Sequence, residues 1–441
     1  MILIKKINKF LKFNLITTFF AFTLYFLVFY IFNKFNDYAL CTRIELLETS
    51  FSGFNLNYLY TRSCDEEPYF AVLENIKNLY SIDGFQYQNR PIFLIFAYSI
   101  NKLISNFFGM DQSLFVFQLS YLILQIFILT ITTFVLNHVI NINNNYKNFS
   151  LTLLFLILSP IFKWTLFEAG SHTQTGIVFL LGIYFFKNLR FIDLFFVHII
   201  IGLLYLSHRS FIVLYLYLLY LIVVNNNTYK IIIKKSLKSS VYFFLPILGY
   251  EIFKYYFTTG EDHNIEVYNQ FFWVFDYIRG YDTNGVTGWY CQKLPQNFIC
   301  YFKDNLQTIK FLYIPVIFII FYLIKQKKSI FKRDYWRPLF EMFFLINLFW
   351  SFIGWYPPVR FSFYSWGHLI IFILVIIYYD LKTTFQKIIF IFAYVLFFFL
   401  LNHYNADYYF HLNIWHICSA VLFLLVLFLN MKNKNIIYGN E

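Results

Sequence analysis

Apolar runs near 20 residues recur from one end of this 441-residue chain to the other. A helix of about 20 apolar residues crosses a hydrocarbon core of roughly 30 Å. Lipid offers no partner to backbone N–H and C=O groups, so these runs should be helices. We therefore expect an all-α polytopic membrane protein with about twelve transmembrane helices, near 11–33, 114–137, 149–166, 173–187, 193–207, 210–225, 240–257, 309–324, 338–354, 361–379, 387–402 and 414–430.

The composition agrees with the membrane class. Charged residues make up 13% of the chain, whereas soluble domains carry about 25%. The net charge of +12 would suggest nucleic acid as the partner of a soluble protein. Here the basic residues lie in short loops between apolar runs, so we interpret them as a topology signal and expect membrane lipids, not nucleic acid, around the chain.

Loop charges predict the orientation of the helices. The segment "NNNTYKIIIKKSLKSS" carries four lysines and no acid, and "KQKKSIFKRDYWR" carries six bases against one acid. Most acidic residues lie instead in 34–90 and in the long loop 258–308. Because cytoplasmic loops are the basic ones, we expect both termini in the cytoplasm. The multi-pass protein would lie in the inner membrane of a bacterium.

The chain is expected to form one integral membrane domain, 1–441, with two long outer loops, 34–113 and 258–308. The first 33 residues have the basic start of a signal peptide, but their apolar stretch is too long for one, so they are interpreted as an uncleaved first helix. The run 91–108 is short and is interrupted by Asn101 and Lys102, which predicts an interfacial helix in the first outer loop.

Four of the five cysteines lie in the two outer loops: Cys41 and Cys64 in the first, Cys291 and Cys300 in the second. Two pairs on the outer side suggest disulfides formed in an oxidising compartment. Unpaired thiols are the alternative. The fifth, Cys418, lies alone in a predicted helix.

Carboxylates gather in the first outer loop, where "SCDEEPYFAVLENIKNLYSIDGFQYQNRPIF" spans 63–93. Asp65, Glu66 and Glu67 stand directly before the apolar stretch that begins at Pro68. The group could be a solvated acidic face or a helix N-cap. It could also supply a general base just outside the membrane.

The order of residues in this loop resembles the first-loop signature of the GT-C superfamily of membrane glycosyltransferases, close to the protein mannosyltransferase and aminoarabinose transferase branch. The matching residues are Asp65-Glu66-x-x-Tyr69, Asp83-Gly84, Arg90-Pro91 and Phe108-Gly109. Ile92 stands where that family has a second proline. The likeness continues more weakly over about 1–220 and 350–380.

The resemblance implies a glycosyltransferase that moves a sugar from a polyprenyl-phosphate donor to a lipid, glycan or protein acceptor at the outer face. It assigns the catalytic base to Asp65, with Glu66 as its partner and Glu168 as a further acidic residue. The donor phosphate and the acceptor would be bound by a second set of residues: Tyr69, Arg90, His208, Arg209 and Arg360. Arginine suits this role because its planar fork donates two hydrogen bonds to phosphate.

Each cation also has a structural interpretation. Arg209 could extend to lipid headgroups as basic residues near helix ends do, Arg90 or Arg360 could pair with a loop carboxylate, and His208 could be only a neighbour of Arg209. A different pairing is expected for Glu251, which lies one helical turn from Lys254.

The sequence indicates no certain cofactor. His403, Asp407 and His411 share the i, i+4, i+8 spacing of one helical face, which can bind zinc. The segment nevertheless resembles an aromatic-rich outer turn, so a divalent metal is possible but not indicated, and we assign no metal site.

Two other functions remain open. An O-antigen polymerase or ligase also has about twelve spans and large outer loops, but usually relies on outer-loop Arg and His. A polysaccharide flippase or secondary transporter should show inverted halves and polar residues at mid-membrane. Such residues are sparse here.

Overall fold

The computed structural model describes residues 50–51, 54–55, 67–81, 90–109, 114–159, 161–162, 172–257, 273–280, 296–326, 333–352, 363–398 and 414–438. These residues are mainly helical, and their only strands are a short antiparallel pair, Ser50–Phe51 with Phe54–Asn55. The expectation of an all-α protein is confirmed for this part of the chain. The predicted first span, 11–33, lies outside it.

The α-helices follow one another along the chain, with a 3₁₀ turn at Leu189–Phe191 and a π-helical segment at Phe363–Gly367. Their bounds are α1 Glu67–Glu74, α2 Asn78–Ser81, α3 Pro91–Phe108, α4 Leu114–Val139, α5 Tyr146–Leu158, α6 Gln174–Lys187, α7 Phe195–Tyr205, α8 Phe211–Val224, α9 Tyr229–Phe257, α10 Trp273–Ile278, α11 Gln296–Phe311, α12 Tyr313–Gln326, α13 Trp336–Phe352, α14 His368–Asp380, α15 Thr384–Phe398 and α16 Ile414–Tyr438.

From residue 114 onward, every apolar run predicted as a span corresponds to a described helix. Several boundaries differ from the prediction, and two of these differences have a local physical reason. Helix α5 ends at Leu158 rather than near 166, because Ser159 takes the extended backbone that a residue before proline favours. Helix α9 begins at Tyr229 rather than near 240, since lysine is a good helix former although it interrupts an apolar run.

One helix among the described residues, Val116–Val139, is by length and composition able to cross a membrane, with a mean hydropathy of 2.2. The bent pair Phe298–Lys310 and Tyr313–Lys325 would add a second if it forms one span. Eight further apolar helices among the described residues are 10–17 residues long. The 29-residue α9 does not meet the same criterion of length and composition. About twelve spans and two cytoplasmic termini therefore remain predictions.

Hydrogen bonds between residues far apart in sequence join the early helices to the late ones. Tyr394 in α15 donates its hydroxyl to the carbonyl of Phe155 in α5 at 2.6 Å. Tyr379 at the end of α14 donates to the carbonyl of Asn148 at 2.8 Å. Tyr217 in α8 donates to Glu341 in α13 at 2.6 Å. Buried polar groups need such partners, so these bonds specify how the helices assemble.

Helices α7 and α9 approach closely at Gly202. A Cβ atom at this position would lie 2.2 Å from the carbonyl oxygen of Phe243 and 2.7 Å from Cγ of Pro246, so only glycine fits. One end of the same contact is fixed by His198, whose Nδ1 lies 2.9 Å from the hydroxyl of Ser239. The ion pair expected on α9 is confirmed, with Lys254 Nζ 2.7 Å from Glu251 Oε2.

Candidate functional site

Arg90 lies immediately before α3 and is buried, with 8% of its surface exposed. Its Nη1 donates to the hydroxyl of Tyr69 in α1 at 3.1 Å. The carbonyl of Tyr69 accepts a hydrogen bond from the hydroxyl of Tyr121 in α4 at 3.0 Å. Two residues predicted from the first-loop motif are therefore in direct contact. No carboxylate among the described residues forms an ion pair with Arg90.

Helix α1 is held against α3 and α4 by further polar and aromatic contacts. Asn101 donates its amide to the carbonyl of Leu73 at 3.1 Å and is itself fully buried. The rings of Phe70 and Phe117 stack with centroids 6.1 Å apart. Asn101, which interrupts the apolar run 91–108, thus holds α1 against α3. Helix α1 begins two residues after Asp65 in the sequence.

The turn between α7 and α8 carries His208 and Arg209, both buried. The backbone N–H and the hydroxyl of Ser210 lie 3.3 and 2.6 Å from Nδ1 of His208. A backbone N–H can only donate, so Nδ1 is an acceptor and the neutral ring carries its proton on Nε2. Nε2 lies 3.3 Å from Nδ1 of His172. His208 is therefore the donor to His172.

His172 receives this bond on Nδ1, so its own neutral ring carries a proton on Nε2. The ring stacks on Tyr364, with centroids 4.9 Å apart and planes at 20°. Tyr364 belongs to the π-helical segment before α14, and such segments are frequent at functional sites. The histidine pair thus joins the start of α6, the α7–α8 turn and the π-helical segment.

Two cations, Arg90 and Arg209, act on His208. Burial lowers the pKa of His208 well below its ordinary value of 6.5, and the charges of Arg90 and Arg209 lower this pKa further. His208 is consequently a neutral hydrogen-bonding group at neutral pH. Among the described residues, the guanidinium groups of Arg90 and Arg209 are both near enough to act on this imidazole.

The side-chain amide of Gln174 adds a buried hydrogen-bond donor at the start of α6. Its Oε1 accepts a hydrogen bond from the hydroxyl of Ser207 at 2.8 Å, which places it beside the α7–α8 turn. The residue is 4% exposed, and its Nε2 has no hydrogen-bond partner in the described part of the chain. A buried amide without an acceptor costs about 1–3 kcal/mol, so a ligand that accepts a hydrogen bond would relieve this cost.

We call this group of residues the donor cluster: Tyr69, Arg90, His172, Gln174, His208 and Arg209. Two buried guanidinium groups, a fixed neutral imidazole and an amide with no acceptor in the described part of the chain together suit an anion. Phosphate fits best chemically, because guanidinium groups donate pairs of hydrogen bonds to its oxygens.

Several predicted site residues lie outside the described part of the chain. They are Asp65, Glu66, Glu168, Arg360, Cys41, Cys64 and Cys291. His403, Asp407 and His411, which were considered for a metal site but not assigned to one, also lie outside it. Cys300 is disulfide-bonded, and its pairing with Cys291 stays a prediction. Cys418 is free and exposed. No three residues able to hold a metal ion lie together within the described ranges.

His172, Gln174 and Tyr364 were not predicted from the sequence. A signal for the first two was present, because "SHTQT" at 171–175 places five polar residues in a row at the start of an apolar run. Such a row at a helix N-terminus can serve capping alone. Its role beside His208 depends on a contact between positions 36 residues apart, which no local pattern reveals.

Comparison with known proteins adds no identification, since no family model, curated protein or solved structure matches this chain.

Proposed function

We propose that this chain is a membrane glycosyltransferase that transfers a sugar from a polyprenyl-phosphate donor to a lipid, glycan or protein acceptor on the outer side of a bacterial inner membrane. The observation that carries the proposal is the donor cluster. It combines buried Arg90 and Arg209 with the Gln174 amide, which has no acceptor among the described residues, and such hydrogen-bond donors suit a phosphate ester.

A membrane location is supported by the surface of the helices. Large apolar side chains point outward along several of them, including Phe107, Phe344 and Ile324, which are 79%, 66% and 63% exposed. Soluble monomers rarely expose extended apolar patches. Lipid around the helices accounts for these side chains, and a lipid-linked donor could reach the donor cluster from the bilayer.

In the proposed reaction, a carboxylate removes the acceptor proton and two arginines stabilise the leaving phosphate. Asp65 takes the proton from the acceptor hydroxyl or amine, whose heteroatom attacks the anomeric carbon of the sugar. The bond from that carbon to the phosphate oxygen breaks, and the polyprenyl phosphate leaves with the electron pair. Arg90 and Arg209 then stabilise the developing negative charge. Glu66, Glu168 and Arg360 keep the assisting roles implied by the family resemblance.

The histidine pair is a source of hydrogen bonds rather than the base in this scheme. Both neutral rings carry their proton on Nε2, and His208 is bonded at Nδ1 to Ser210. His172 accepts at Nδ1 from His208. A carboxylate is therefore still needed to remove the acceptor proton, which favours Asp65.

A glycan polymerase or ligase is the second candidate, because buried Arg and His side by side also suit an enzyme that relies on these residue types. The two assignments differ in their need for Asp65. A ligase that uses the donor cluster alone would tolerate the loss of this carboxylate, whereas the proposed glycosyltransferase would not.

The test compares Asp65→Asn with Glu74→Gln in the intact membrane protein. Glu74 is an exposed carboxylate of the same loop, in α1. Transfer of labelled sugar from polyprenyl phosphate is measured in membranes that contain equal amounts of each protein. We expect Asp65→Asn to slow transfer by about 10²–10⁴-fold, as removal of a general base does. Glu74→Gln should not slow it. Full activity in Asp65→Asn would refute the assignment, as would sugar movement across proteoliposomes without consumption of donor.

A further inference from the structure

Helix α9 is longer than a membrane crossing requires. Its 29 residues span about 43 Å at 1.5 Å per residue, whereas a hydrocarbon core is roughly 30 Å thick. Its first buried residue is Ser239, where it meets His198 of α7. None of the residues 229–238 is buried. The first ten residues of the helix therefore extend beyond the packed helices.

This extension carries two parallel stripes of side chains. Lys230, Lys234 and Lys238 are exposed and recur every four residues, which places them on one side of the helix. An apolar stripe with the same spacing lies one residue ahead of it. Its members are Tyr229, Ile233 and Leu237, which are 84%, 64% and 65% exposed.

Another side of the extension contacts the protein at two residues. Lys235 forms an ion pair with Asp193, with Nζ 2.8 Å from Oδ1, and Ser239 continues the same side to its bond with His198. The two stripes therefore point away from the other helices. No acidic residue of the described chain pairs with a lysine of the basic stripe.

Neither water nor a soluble partner suits both stripes at once. Water favours the lysines but leaves three large apolar side chains exposed, and an acidic protein would not cover the apolar stripe. The boundary between headgroups and acyl chains provides both environments, since apolar side chains enter it while lysines contact phosphates. Anionic lipids attract basic segments next to a membrane helix.

We propose that residues 229–238 form a binding surface for anionic phospholipid headgroups, with the basic stripe on the phosphates and the apolar stripe in the outermost acyl region. The surface belongs to the loop predicted to be cytoplasmic and is separate from the donor cluster. It would fix the depth and tilt of α9 according to the anionic lipid content of that leaflet.

The test measures lipid retained by the purified full-length protein. Protein in detergent is equilibrated with equal amounts of phosphatidylglycerol and phosphatidylcholine, and the bound lipids are quantified by mass spectrometry. The stripe variant carries Lys230→Gln, Lys234→Gln and Lys238→Gln. The matched control carries the same charge change at exposed lysines elsewhere: Lys77→Gln, Lys147→Gln and Lys382→Gln.

We expect the unmodified protein and the control to retain phosphatidylglycerol preferentially. In the stripe variant this preference should fall at least tenfold, within the limit on the order of a hundredfold set by three lysines. An unchanged preference in the stripe variant, or an equal loss in the control, would overturn the proposal. So would displacement of the lipid by 10 mM inorganic phosphate, since the lysines would then bind phosphate ions rather than a lipid surface.

Discussion

Replacing Gln174 with methionine tests whether the donor cluster binds an anion. Methionine keeps the length of the side chain and removes both polar atoms. The substitution removes one unsatisfied hydrogen-bond donor and one hydrogen-bond acceptor. The buried Nε2, which has no partner among the described residues, disappears, and the hydroxyl of Ser207 loses the acceptor that lies 2.8 Å away.

These two changes act on stability in opposite directions. Removing an unsatisfied buried amide gains about 1–3 kcal/mol, and leaving a buried hydroxyl without its acceptor costs a similar amount. The free energy of unfolding should therefore change by less than about 1 kcal/mol. Phosphate binding should weaken much more, because a hydrogen bond to a charged group contributes about 1.5–3 kcal/mol, which corresponds to roughly a ten- to hundredfold change in Kd.

Gln386 provides a matched control at another position. It is also buried, its Oε1 accepts from the backbone N–H of Thr383 at 3.2 Å, and its Nε2 also has no partner in the described residues. Gln386→Met should thus have a small effect on stability similar to that of Gln174→Met. It should leave phosphate binding unchanged, because it belongs to neither the donor cluster nor the first outer loop.

The assay is calorimetric titration of both variants with a short-chain polyprenyl phosphate, together with thermal unfolding in the same detergent. A loss of affinity in Gln174→Met alone, without a loss of thermal stability, supports an anion site. If Gln174→Met binds the phosphate normally, or if it unfolds at a much lower temperature, Gln174 has a purely structural role and the reasoning is wrong.

Two further predictions concern stability. Gly202→Val should destabilise the protein by about 1–3 kcal/mol or more, because its Cβ would lie 2.2 Å from the Phe243 carbonyl oxygen; Gly249→Ala, with open space around its Cβ, should unfold no earlier than the parent. His208 has a folded-state pKa well below 6.5, so the unfolded state binds more protons and stability should fall as pH decreases through 6.5. Thermal unfolding between pH 8 and 5 should show a shallower fall in His208→Gln, and an identical slope would contradict a buried neutral His208.

The helices could largely be predicted from the sequence, because burial in lipid or in a protein core imposes a long apolar run that is visible locally. The errors arise where the helix and the apolar pattern do not begin or end together. Helix α9 begins among lysines at Tyr229, and α5 stops before Pro160 within a run that remains apolar. Polarity sets the predicted boundary, whereas backbone conformation sets the actual one.

The donor cluster could be predicted only in part. Arg90, His208 and Arg209 are conspicuous as polar residues at the ends of apolar runs. The partners that define their chemistry are ordinary in sequence: Ser210 fixes the tautomer of His208, and Gln174 is buried through the approach of α6 to the α7–α8 turn. These contacts follow from packing of helices, which sequence periodicity does not specify.

The hydrogen bond from Tyr394 to the Phe155 carbonyl joins a helix that is synthesised early to one that is synthesised late. The two residues are 239 positions apart, and ribosomes add about 5–20 residues per second. After α5 has emerged, about 12 to 48 s pass before its partner in α15 is synthesised. During that interval α5 must remain in place without its final neighbour, so early helices depend on one another, or on the insertion machinery, until synthesis ends.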